Sequence, residues 1–151
     1  MSREPQAVAG IGDERLQRAI GLAVEARASA YARYSGFAMG AAVVGFDGRT
    51  TRGVLVENVS LGLSMCAERV ALFSAVTEAV APVVLALCAP RTGGQLTFPC
   101  GACLQVGLEV AGAELLVVAV DPDGVYEWAP LIQLLTRAPK RHTPITRPAP
   151  T

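Results

Sequence analysis

Val83-Val84-Leu85-Ala86-Leu87-Cys88-Ala89 runs without a charge directly after Pro82. An apolar run of that length reads as a central strand, buried on both faces. Downstream, Arg91 to Pro99 reads as a loop through Gly93-Gly94, followed by a helix over roughly 101–110 and a second apolar strand over 115–120. Asp121-Pro122-Asp123-Gly124 then makes a turn, Val125 to Trp128 a short strand, and Pro130 opens a last helix reaching Leu135. Upstream, a helix opens near Cys66 and runs to about Ala79, with Val70, Phe73, Ala75 and Val76 at helical spacing. Ahead of it, Gly40 to Phe46 reads as a buried strand, Asp47-Gly48 as a hairpin turn and Thr50 to Val56 as the antiparallel partner. The first helix is expected from about Asp13, as N-cap, to Ala32, with Leu16, Ile20, Ala23, Val24 and Ala28 three and four apart. Alternating strands and helices around buried strands imply an α/β domain with helices on both faces of a sheet.

The chain has 151 residues, enough for one domain with a substantial core. Residues 1–137 are expected to form a single catalytic domain. Residues 138–151, with four of the ten prolines, are expected to be a flexible tail in which His142 is solvated. Lys plus Arg and Asp plus Glu balance at 13 each, so no net field gathers a nucleic-acid backbone. An aromatic content of 5% argues against a base-stacking platform. The opening residues are too polar for a secretory signal, and every apolar stretch is interrupted before it could span a bilayer. A cytoplasmic protein is expected, with no membrane and no nucleic-acid partner. In that setting four cysteines suggest metal or thiol chemistry. A mean hydropathy of +0.40 suggests that subunit contacts bury further surface.

The chemistry concentrates in Cys66-Ala67-Glu68-Arg69 and Pro99-Cys100-Gly101-Ala102-Cys103. Three thiolates fill three corners of a tetrahedral Zn2+ site, and the fourth stays open for a water whose pKa falls near ~7. Each cysteine group sits at the start of an expected helix, where the dipole favours thiolate. Glu68, two residues beyond Cys66, is close enough to serve as general base and then general acid without binding the metal. Arg69 is placed to offset the thiolate charge, although alone it also reads as a solvated helix cation. Cys88, inside the apolar run, reads as core. This arrangement has the form of the zinc deaminase pattern.

From about Tyr31 to Val118 the chain resembles the homotetrameric cytidine deaminases that act on free nucleosides. The likeness is carried by the two cysteine motifs and by Tyr34-Ser35-Gly36-Phe37 with Gly40-Ala41-Ala42. The resemblance implies a three-layer α/β/α fold with a mixed five-stranded sheet, a homotetramer with shared pockets, and release of ammonia from an amino-pyrimidine. It places Phe37 over the substrate ring, Glu57 on a sugar hydroxyl and Ala67 against substrate. A helix stripe of Ala67, Ala71 and Ala75 is compatible with close contacts between subunits.

The departures from the family pattern all fall in the substrate region. Leu55 stands where an asparagine is usual, Leu61 where an aromatic is usual and Leu104 where an arginine often follows the last cysteine. Leu134-Leu135-Thr136-Arg137-Ala138-Pro139 lacks the aromatic ring common near the family's C-terminus. Glu57 and Phe37 favour cytidine or deoxycytidine as substrate; Leu55 favours a different amino-heteroaromatic, such as a modified nucleoside or a base without ribose. A redox dithiol at Cys100 and Cys103 leaves Cys66 and Glu68 unexplained. A structural zinc site would need a fourth protein ligand.

Overall fold

The apolar run at 83–89 lies in the middle of the sheet. In the computed structural model, which describes residues 12–139, β3 (Pro82–Cys88) is the third of five strands. It pairs antiparallel with β1 (Gly40–Gly45) and parallel with β4 (Leu116–Val120). Outside these lie β2 (Thr50–Val54) and β5 (Tyr126–Pro130), both antiparallel to their neighbours, giving the order β2-β1-β3-β4-β5. The parallel β3–β4 pair is joined through α3 (Gly101–Ala111), and the helix over Ala67–Thr77 carries the chain from β2 across β1 into β3. β1 and β2 need only the expected Asp47-Gly48 turn, where Gly48 takes a φ of +84° and the Asp47 carboxylate accepts the Arg49 N–H at 3.0 Å. The mixed five-stranded sheet is therefore as the resemblance implied.

Period-two alternation divides the buried strands between two cores. Ala42, Val44, Val84, Ala86, Cys88, Leu116, Val118 and Val120 face α1 (Asp13–Arg27), which covers them with Leu16, Ala19, Ile20 and Ala23. Trp128, the single tryptophan, packs at the border of this layer with Tyr126. Ala41, Val43, Leu85, Leu87 and Val117 point the other way, toward α2 (Ala67–Thr77), α3 and the short α4 (Leu131–Leu134).

Several boundaries differ from the expectations. Asp13 is the first helical residue of α1, and Gly12 is its N-cap. The helix ends at Arg27 rather than near Ala32, because Tyr31 must lie beside Val56 and exchange main-chain bonds with Leu55 and Glu57. That pairing also takes Val56 out of β2. Pro82 joins the strand that it was expected to precede.

The buried face of α2 differs as well. It consists of Ala67, Glu68, Ala71, Leu72 and Ala75, while Phe73 and Val76 are exposed. The cause lies on the facing strand: a Cβ on Gly53 would meet the Ala67 carbonyl oxygen at 2.3 Å and the Ala71 nitrogen at 2.5 Å. β2 and α2 touch main chain to main chain there, so only small side chains fit between them. The alanine stripe is therefore spent inside the subunit and is not free for contacts between subunits.

Candidate metal centre and active site

Cys66 and Cys100 are the N-caps of α2 and α3, and Cys103 follows on the first turn of α3. Gly53 lets α2 settle onto the sheet, and Leu72 and Leu104 lie in the core that α2 and α3 share. The two helix starts thereby converge. The Sγ atoms of Cys66, Cys100 and Cys103 all lie within 4.8 Å of one another. Cys100 and Cys103 stand 3.6 Å apart, sulfur to sulfur. Sulfurs bound ~2.3 Å from one tetrahedral ion stand roughly 3.8 Å apart, so the trio fits zinc with little movement.

No fourth cysteine, histidine or carboxylate joins the cluster among the described residues. The set is that of an open site, not a closed structural one. A dithiol would require only Cys100 and Cys103, whereas Cys66 from a different helix is brought to the same point. Cys88 is fully buried on the opposite, α1-facing side of the sheet, as its place in the apolar run implied. His142 and residues 140–151 of the expected tail lie outside the described residues.

The charges around the trio interact closely. A hydrogen bond from the Cys103 thiol, reinforced by Arg69, lowers the Cys66 pKa to about 5. Cys103 moves the opposite way because one proton is shared between the two. Arg69 donates from Nη2 to the Cys66 sulfur at 3.7 Å, the placement expected of a cation that offsets thiolate charge.

Glu68 is only 2% exposed, and its Oε2 has no hydrogen-bond partner. Burial, with the nearby Cys66 charge, pushes its carboxyl pKa up to about 7. A carboxyl group with a free oxygen and a pKa near neutrality is equipped both to take a proton and to return it.

Two of the expected substrate residues, Phe37 and Ala67, belong to the core on which Cys66 packs. Phe37 is half-buried and packs on the same core as Cys66. Ala67, the first residue of α2, is fully buried. Glu57 accepts hydrogen bonds from the Tyr34 and Ser35 N–H groups at 2.9 and 3.2 Å and from the Ser35 hydroxyl. The Ser35 hydroxyl is the main reason its carboxyl is held below the usual carboxylate range. Leu55 is 7% exposed and belongs to the core with Met39 and Ala67. Leu104 is likewise buried in that core, and Leu61 is exposed. Phe98, which sequence reasoning passed over, packs on this core too. An aromatic immediately before Pro99-Cys100 was the available signal.

A layered α/β/α fold carrying an open three-thiolate centre beside a buried carboxyl defines a zinc-dependent hydrolase. Residues 13–119 match the cytidine and deoxycytidylate deaminase zinc-binding region, and the chain belongs to that family. It is 46% identical over 97 residues to a cytidine deaminase of Mycobacterium tuberculosis, covering 64% of this chain and 72% of that one. Over 116 residues it is 40% identical to a cytidine deaminase of Halalkalibacterium halodurans, covering 77% and 87% of the two chains. Among solved structures it resembles a cytidine deaminase from Burkholderia pseudomallei with a TM-score of 0.72 at 40% identity, covering 78% of this chain and 94% of that one. No helix among the described residues is long and apolar enough to cross a membrane.

Proposed function

We propose that the chain hydrolytically deaminates free amino-pyrimidine nucleosides, with cytidine and deoxycytidine as its first substrates. The observation that carries this reading is the unpartnered Oε2 of buried Glu68 beside the Cys66, Cys100 and Cys103 trio. Zinc held by the three sulfurs supplies Lewis-acid activation of the attacking water. Glu68 takes the proton released as that water adds to the ring carbon bearing the amine, and passes it to the adjacent ring nitrogen. Glu68 then carries the proton of the added hydroxyl to the amine, which leaves as ammonia while the carbonyl forms. Arg69 steadies Cys66 through its contact with the sulfur. Phe37 covers the ring. The first-turn N–H groups of α2, which have no partner within the helix, leave Ala67 a main-chain donor for the substrate.

The proposed catalytic unit is a single domain spanning residues 1–137, cytoplasmic, with neither nucleic acid nor membrane as partner. Release of ammonia from a panel of amino-pyrimidines and their nucleosides tests the reading. Cytidine is expected to be turned over, and a panel without any ammonia release would refute it.

A second reading, an aminohydrolase for another amino-heteroaromatic, is favoured by the apolar burial of Leu55. Leu55 offers no donor to a sugar hydroxyl, and a missing neutral hydrogen bond is worth about 0.5–1.5 kcal/mol. Under this reading Leu55→Asn raises kcat/KM for cytidine. If the natural chain already reaches roughly 10⁵ M⁻¹s⁻¹ and Leu55→Asn only impairs it, the cytidine reading holds.

We also propose a homotetramer. Val59, Leu61 and Leu63 are 78%, 82% and 68% exposed on the segment leading to Cys66, an apolar surface that a neighbouring subunit would cover. Light scattering is expected to give four chains per particle, and an active monomer at working concentration would contradict this assembly.

A further inference from the structure

We propose that Glu57 is a positioning residue that fixes Phe37 through the hydroxyl of Ser35. The proposal rests on the reading of Phe37 as the ring that covers the substrate. The segment from Tyr31 to Phe37 is strapped to the end of the hairpin at two levels. In the main chain, the Tyr31 N–H donates to the Leu55 carbonyl at 2.8 Å and the Glu57 N–H donates to the Tyr31 carbonyl at 2.9 Å. In the side chains, the Glu57 carboxylate accepts from the N–H groups of Tyr34 and Ser35 and from the Ser35 hydroxyl.

The relay continues past Ser35. Its Oγ, while donating to Glu57, accepts the Phe37 N–H at 3.0 Å. Gly36 makes the reversal between them, with a φ of +70° in the left-handed region. One hydroxyl therefore joins the Glu57 carboxylate to the main chain of Phe37. Single hydrogen bonds near solvent are weak, but three donors converging on one carboxylate, with a fourth bond hung from the same hydroxyl, act as a unit. A carboxylate has about four lone-pair sites, so three of Glu57's are occupied by this loop and one is left for substrate.

The test compares Ser35→Ala, Glu57→Gln and the double variant, each loaded with zinc. Each single change is expected to lower kcat/KM for cytidine, by up to ~10²-fold, because a ring displaced by an ångström costs that much in orientation. The double variant is expected to be no worse than the weaker single one, as for two links of one chain. The same losses are expected with 2′,3′-dideoxycytidine, which lacks the 2′ and 3′ hydroxyls and keeps only the 5′ one. A Glu57→Gln loss that vanishes on dideoxycytidine, with Ser35→Ala neutral on both substrates, would mean that Glu57 acts through the sugar, and the proposal would fail.

Amide hydrogen exchange over residues 34–37, measured without substrate, supplies a readout independent of turnover. Exchange is expected to quicken in both single variants while the strands stay protected, and unchanged protection overturns the proposal. A natural chain inactive on every nucleoside defeats the proposed function instead, and the exchange measurement still decides the strap.

Discussion

Replacing Glu68 with glutamine is expected to leave zinc content and melting temperature near those of the natural chain while turnover falls by ~10²–10⁴. The change keeps the shape of the side chain and removes its ability to exchange a proton. Stability should not suffer. The carboxyl is buried and its Oε2 unpartnered, so folding already pays for desolvating it, and a neutral amide is easier to bury than a carboxylate. The measurement is steady-state ammonia release, with metal analysis and thermal unfolding of the same preparation. Near-natural turnover in a zinc-loaded Glu68→Gln protein would exclude Glu68 as the proton carrier.

The second large effect concerns the cysteines. Serine at Cys66, Cys100 or Cys103 should strip zinc from the protein and abolish activity with it, because each supplies a third of the protein ligands. A loss of thermal stability should accompany it, since metal affinity is also folding free energy. Cys88→Ser should behave differently. Cys88 is fully buried on the α1-facing side of the sheet, so a hydroxyl there costs packing, about 1–3 kcal/mol, without touching the metal. Zinc per chain, measured on all four variants, separates the two roles. Loss of zinc from Cys88→Ser together with its retention in Cys66→Ser would overturn the ligand set.

The metal centre was legible in the sequence because its signals are short-range. Cys66 and Glu68 sit two residues apart, Cys100 and Cys103 three, and both groups open helices. The central strands were legible for a related reason, since a strand buried on both faces leaves an unbroken apolar run, as in residues 83–89. Helix ends were harder. Nothing near Arg27 marks the end of α1, which is set by the docking of Tyr31 beside Val56, far along the chain. The buried face of α2 was misread for a similar reason. Periodicity favours Phe73 and Val76, whereas the close approach at Gly53 admits only alanines. The strap from Glu57 to Ser35 left no trace at all, because a carboxylate accepting main-chain N–H groups 22 and 23 residues earlier creates no pattern.

The separation of the two cores has a practical use. Trp128, the single tryptophan, borders the α1 layer, while the three sulfurs lie on the opposite side of the sheet. Intrinsic fluorescence therefore reports on one layer, and a chromogenic zinc chelator on the other. Followed together through a denaturant titration, the two signals ask whether the molecule melts as one cooperative unit. Coincident curves would mean that the sheet transmits disorder from face to face. An earlier chelator signal would mean that the catalytic layer can open while the scaffold behind it stays folded.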